Sequence, residues 1–176
     1  MASVVFVLVR AVTYATLFIG LVLVFLPARL LSWSGVTNPP AIGVLQATGM
    51  LAAAIGAALA LWCIFTFALL GKGTPAPFDP PRRLVVRGPY KFVRNPMYLG
   101  AATALAGAAL FYQSAALAGY VAAFLLITHV FVMWYEEPTL RTTFGAEYDR
   151  YCRQVRRWWP RLSAGGSAQA DGASSR

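Results

Sequence analysis

The sequence has little charge. Only 12% of its 176 residues are Asp, Glu, Lys or Arg, against 59% hydrophobic. A soluble domain carries about a quarter charged residues, and so few charges cannot solvate a globule of this size. An ordinary soluble domain is excluded. Acidic residues are the scarcer sign, six against fifteen basic, for a net charge of +9. There are two cysteines, Cys63 and Cys152, far apart and without a CxxC, which excludes a disulfide framework and a cysteine-rich metal site. Histidine occurs once, as His129. The chain has no Walker loop, no GxSxG, no HExxH and no GxGxxG after a strand, so nucleotide-loop, serine-hydrolase and zinc chemistries have no support. The start, Met1-Ala2-Ser3-Val4, lacks a basic n-region, and Ala28-Arg29 is a poor cleavage site. The first apolar run therefore reads as a retained helix.

What the chain does have is long apolar runs. Val4 to Leu26, Ala41 to Leu70, Tyr98 to Tyr112 and Ala115 to Tyr135 are measured against a hydrocarbon core of about 30 Å and a helical rise of about 1.5 Å per residue. The first and last are normal spans. The second is longer than needed, and the third is short and rich in Ala and Gly. Only Gln113 and Ser114 separate the last two, which predicts a tight helical hairpin. The basic residues cluster: Lys72, Arg82, Arg83, Arg87, Lys91 and Arg94 in loop 71–97, and Arg141, Arg150, Arg153, Arg156, Arg157, Arg161 and Arg176 in the C-terminal part. Clusters flanking apolar spans mark the cytoplasmic face rather than nucleic acid. The expectation is an all-α polytopic membrane protein with about four transmembrane helices, both termini cytoplasmic, and one domain over 1–162.

Within the third span Gly100, Ala104 and Ala108 recur at four-residue spacing beside Gly107, a pattern that lets helix backbones approach closely in lipid. Beyond Tyr135, residues Tyr148, Tyr151, Cys152, Val155 and Trp159 form an apolar stripe at helical period, with Arg150, Arg153 and Arg157 off it. This predicts a cytoplasmic amphipathic helix over 136–160, its arginines near anionic headgroups. Residues 163–176 are Gly, Ala, Ser and Gln with little to bury, and read as a disordered tail.

Polar groups at a membrane ask for a reason, and two clusters stand out. One is Arg87-Gly88-Pro89-Tyr90-Lys91-Phe92-Val93-Arg94-Asn95-Pro96-Met97-Tyr98-Leu99-Gly100, leading into the third span; the other is Glu136-Glu137 at the end of the fourth. A tight hairpin brings those two ends together. Adjacent helical residues point about 100° apart, so one glutamate can face a pocket while the other meets the basic loop. Plainer readings exist for each residue. Glu137 and Arg141 form an i,i+4 pair, Arg94 is one more interior-face charge, Asn95-Pro96 is turn chemistry, and Tyr90, Tyr98, Trp134 and Tyr135 are interfacial aromatics. His129 is a proton relay or, more commonly in such positions, a hydrogen-bonding partner for a neighbouring helix.

At these clusters the chain resembles the isoprenylcysteine carboxyl methyltransferase family and the related membrane phospholipid methyltransferases. The shared positions are Gly88, Tyr90, Arg94, Pro96, Tyr98 and Gly100, then Glu136, Glu137, Leu140, Phe144, Gly145, Glu147, Tyr148 and Tyr151. Together they cover roughly Phe78 to Pro160. The resemblance implies S-adenosylmethionine as methyl donor, held by Tyr90, Arg94, Asn95, Pro96, Tyr98, Gly100, Glu136 and Glu137, with Arg94 and Glu137 as the catalytic pair. It implies a lipophilic acceptor at the cytoplasmic membrane face: an isoprenylcysteine-like carboxylate, a phospholipid amine or a small thiol. Asn95 departs from the family's histidine; asparagine donates and accepts hydrogen bonds but carries no charge and is no base. Two other readings stand beside this one, an NADPH-dependent membrane reductase of related architecture and a non-catalytic membrane binding protein.

Overall fold

The computed structural model describes residue 13 and residues 19–36, 39, 41–70 and 84–161. Most of the first expected span, Lys72, Arg82, Arg83 and the tail 163–176 lie outside the described residues. Those described are helical, with a single parallel bridge between Val93 and Arg156 and no strand.

The first helix, α1 (Gly20–Trp33), does not stop at Leu26 as expected. It widens to π geometry over Gly20–Phe25, where the Leu26 N–H reaches back to the Leu21 carbonyl, and then continues as a regular helix with Pro27 in its first turn. Proline has no N–H to donate and its ring crowds the preceding turn, and a local π turn absorbs both effects. The helix ends at Ser34, whose hydroxyl donates to the Leu30 carbonyl at 2.8 Å.

Helix α2 (Val44–Leu70) is apolar all round, and its Val44–Thr66 stretch is long enough to cross a membrane. Its start is closed by Gln46, whose Oε1 accepts from the Gly43 N–H at 3.1 Å. Helix α3 (Pro96–Tyr112) opens on a proline at its first position, where the missing N–H would have no partner anyway. It begins two residues earlier than the apolar run suggested. The hairpin turn follows the residues: Gln113 takes a left-handed conformation, φ 49°, and the Ser114 hydroxyl accepts from the Leu117 N–H at 3.3 Å to cap α4 (Ala115–Phe131).

Helix α4 passes without a break through a π turn, Val132–Glu136, into α5 (Glu137–Phe144). Again a proline, Pro138, follows directly, and the Glu137 N–H reaches back to Val132. Among the described residues the combined run Ala115–Phe144 is the second stretch long and apolar enough to cross a membrane, while the described parts Gly20–Trp33 and Pro96–Tyr112 are shorter apolar helices.

The single amphipathic helix expected over 136–160 is instead two short helices and an extended arm. Gly145 turns the chain sharply, φ 50° and ψ −125°, a combination that side chains rarely tolerate. Helix α6 (Ala146–Gln154) follows, and Val155 is extended. The apolar stripe is covered by protein rather than lipid. Tyr148, Tyr151 and Val155 form a small core with Leu84, Val86, Leu140 and Phe144, while Trp159 stands exposed. Periodicity shows that a face is apolar; it does not show what covers it.

The close approach predicted from the small residues of α3 is present, and its partner is α2, running antiparallel. A Cβ placed on Gly100 would sit 2.8 Å from the Ala60 nitrogen, and one on Gly49 would sit 2.7 Å from the Gly107 carbonyl oxygen; Gly56 and Gly107 meet the opposite backbone just as tightly. This pair is the spine of the molecule. On the α3 side Ala101, Ala102 and Leu105 pack with Phe124 of α4 and with Val22 and Leu23 of α1, and the Tyr120 hydroxyl donates to the Val22 carbonyl at 2.8 Å.

Candidate active site

The start of α3, the end of α4, the loop from Leu84 and the C-terminal arm converge at one end of the bundle, as the hairpin requires. The two glutamates diverge, as neighbours on a helix should. Glu137 is 7% exposed and turns to the basic segments. Its carboxylate accepts a fork of two bonds from Arg157, Nε to Oε1 at 2.6 Å and Nη2 to Oε2 at 2.9 Å, while Arg94 Nη2 lies 3.1 Å from Oε1. Glu136 turns the other way, and its Oε2 accepts from the Tyr98 hydroxyl at 3.2 Å.

The i,i+4 pairing of Glu137 with Arg141 is not the one formed. Arg141 instead reaches Asp149 across the Gly145 turn, 3.4 Å apart and exposed, where such a pair contributes little. Arg94 is no surface charge either: its side chain is 12% exposed, and Nη1 also donates to the Tyr148 hydroxyl at 3.4 Å and to the Cys152 sulfur. The remaining donor, Nε–H, is buried and has no hydrogen-bond partner among the described residues.

Asn95 is 6% exposed, and its Nδ2 donates to the Arg157 carbonyl at 3.3 Å, while the Arg94 N–H donates to the Arg156 carbonyl at 2.9 Å. Any side-chain donor of similar reach at position 95 can make the first bond. Tyr90 is buried in a small core with Cys63 and Val85, and its carbonyl accepts from the Tyr151 hydroxyl at 2.7 Å. Burial pushes the Tyr90, Tyr148 and Tyr151 phenols above their ordinary range, so all three are neutral donors at physiological pH. The bond to Glu137 raises the Arg157 guanidinium further, so the cation persists at any working pH.

Pro96 and Gly100 act through backbone: Pro96 starts α3 and Gly100 admits α2. Of the interfacial aromatics, Trp134 and Tyr135 are exposed, 79% and 40%, whereas Tyr98 belongs to the polar cluster and Tyr90 to the small core with Cys63 and Val85. His129 accepts at Nδ1 from the Trp158 indole at 3.0 Å, so its partner is the C-terminal arm rather than a neighbouring helix. Arg157, Tyr148, Cys152 and Trp158 were not singled out as site residues from the sequence. The available signal was the pair of consecutive arginines, Arg156-Arg157, followed by two tryptophans; alternation along an extended arm turns one outward and one inward.

A shallow groove of about 580 Å³ lies between α3 and α4 at the hairpin tip, lined by Ala106, Leu110, Gln113, Ala118 and Val121 among others. Its nearest α3 residue, Ala106, stands eight residues beyond Tyr98, about 12 Å along the helix, and no charged residue is among its lining. Among the described residues no group of His, Cys, Asp and Glu has the makings of a metal site.

Apolar spans, a seam of backbone contact and a buried polar cluster at one end define a helical membrane protein. The family model described as phospholipid methyltransferase matches residues 44–147, more than half of the chain. The chain belongs to that family, and the resemblance read from the two motif clusters is borne out at that level. No curated protein and no solved structure matches the chain.

Proposed function

We propose that the protein transfers a methyl group from S-adenosylmethionine to a lipophilic acceptor at the cytoplasmic face of the membrane. Family membership supports the reaction class. The orphaned Arg94 Nε–H is the observation that carries the donor reading. A buried donor left unpaired costs about 1–3 kcal/mol, and the cluster around it holds two guanidinium groups against one carboxylate. That excess positive charge and free N–H suit a carboxylate. One residue away, Glu136 with Tyr98 offers the opposite sign, suited to an ammonium or to ribose hydroxyls. A zwitterionic amino-acid moiety matches both.

On this reading Arg94 binds the donor's carboxylate and Glu137 fixes Arg94; Glu136 and Tyr98 orient the other end, and Tyr90, Pro96 and Gly100 act from behind by seating the loop and the start of α3 on α2. When bound, S-adenosylmethionine supplies an electrophilic methyl on a sulfonium. The chain supplies orientation and a dry setting, and proximity effects of that kind account for much of the acceleration in such reactions. The acceptor arrives from lipid, in keeping with the apolar surroundings.

Titration of the detergent-solubilised protein with S-adenosylmethionine and, separately, NADPH tests the donor. Binding of the first alone is expected. Glu136→Gln is expected to weaken it tenfold or more, since a hydrogen bond to a charged group is worth about 1.5–3 kcal/mol, and Arg153→Ala less than twofold. Equal small effects from both would reduce the cluster to surface charge. Incubation with labelled donor and a lipid extract then identifies the acceptor.

We propose further that four spans cross the membrane with both termini inside, following the basic segments. Reporter fusions after Ser34 and after Gln113 are expected to report outside and one after Lys91 inside. An outside signal at Lys91 reverses the orientation and moves the site with it.

A further inference from the structure

The family match ends at residue 147, yet the buried ion cluster is completed from beyond that point. We infer that Arg157 is a positioning residue: it sets the Arg94 guanidinium by holding Glu137. For its bearing on methyl transfer this rests on the donor reading above; for its bearing on Arg94 it does not.

Two kinds of contact tie the arm to the site. The first is the Arg157–Glu137 fork, at 2.6 and 2.9 Å. With both carboxylate oxygens engaged by Arg157, Arg94 meets Glu137 through a single nitrogen, Nη2. A guanidinium left alone with a carboxylate prefers the two-bond fork. Without Arg157, Arg94 is free to rotate into that arrangement, either by Nε with one Nη or by both Nη groups. Either way it leaves its present posture over Tyr148 and Cys152. Arg157 thus keeps Glu137 from capturing Arg94 completely, and this is why the Arg94 Nε–H stays unclaimed.

The second kind of contact is main-chain. The carbonyls of Arg156 and Arg157 accept from the Arg94 N–H and the Asn95 side chain. Those two candidate site residues are therefore held by the same short arm, itself anchored by the Trp158 indole on His129. The arm is a built part of the cluster, not a surface tail.

Cys152 provides a reporter independent of any ligand. It is partly exposed and lies against Arg94, whereas Cys63 is fully buried and serves as the silent reference. With alkylation run at alkaline pH, where thiolate fraction no longer limits the rate, Arg157→Gln is expected to raise the alkylation rate of Cys152, read at peptide level, about tenfold because Arg94 no longer covers the sulfur, while Cys63 stays unlabelled. Arg157→Lys keeps the charge without the fork and is expected to fall between wild type and Gln. It also stands in if the Gln variant does not fold. S-adenosylmethionine affinity is expected to fall by about tenfold to a hundredfold, the scale on which small misplacements matter. In a Glu137→Gln background the same change should add less than twofold, because Arg157 acts through Glu137. A merely structural role would lower the melting temperature, add fully in both backgrounds and leave the affinity of the folded fraction unchanged. Unchanged Cys152 labelling in both Arg157 variants overturns the inference. Raised labelling in a protein that binds no S-adenosylmethionine supports it and removes the donor reading instead.

Discussion

Glu137→Ala is expected to destabilise the protein by about 3–5 kcal/mol, the scale of removing one partner from a buried ion pair. The loss is large because two guanidinium groups, Arg94 and Arg157, converge on this one carboxylate. Without it they face each other, desolvated and of like charge. Glu136→Ala, one residue away, removes a single bond from Tyr98 and is expected to cost about 1–2 kcal/mol. Thermal or denaturant unfolding of both variants in the same detergent checks the contrast. Equal losses from the two would mean that the Glu137 cluster is solvated rather than buried, and the assignment of separate roles to the glutamates would fall.

Gly56→Val and Gly100→Val are expected to be as damaging, about 3 kcal/mol or more. Overpacking commonly costs 1–3 kcal/mol when side chains can rearrange. Here the added atoms meet the main chain of the facing helix, which has no other rotamer to adopt. Gly119→Ala is the control. Its Cβ would meet nothing within 4 Å, and alanine favours helix by up to about 1 kcal/mol over glycine, so it is expected to be neutral or slightly stabilising. The folded fraction recovered by size exclusion and the unfolding midpoint separate the three. Tolerance of valine at both Gly56 and Gly100 would show that α2 and α3 sit further apart than backbone contact.

The hairpin, the convergence of the two motif clusters and the divergence of Glu136 from Glu137 were legible from residue order and the 100° step of a helix. So was the close packing of α3, though not its partner. Gly49, Ala53, Gly56 and Ala60 on α2 carry a matching small-residue pattern at spacings of four, three and four, but α2 is apolar all round and so has no stripe that marks one face for a partner. The C-terminal region was legible only in part. The apolar stripe of Tyr148, Tyr151 and Val155 is real, but lipid and protein accept such a stripe equally well. Gly145, which ends α5, stands among the shared motif positions, but a glycine in a motif does not by itself say that the chain turns there. Arg157 looked like one more interior-face cation because sequence spacing does not reveal a partner twenty residues away. The two π turns have a readable cause in Pro27 and Pro138. Their consequence, helices that run through an expected boundary, depends on what the prolines' neighbours do in three dimensions.

The backbone contact between α2 and α3 also has a mechanical meaning. Two helices joined at this distance cannot slide or part without breaking the contact along its whole length, so they move as one rigid rod. No hydrocarbon chain passes between backbones already in contact. The seam between α3 and α4 is different: a shallow groove beside Ala106 and Val121 lies along it at the hairpin tip. Any relative movement of the helices therefore falls on α1 and α4, which meet the pair through side chains, and not on the seam between α2 and α3.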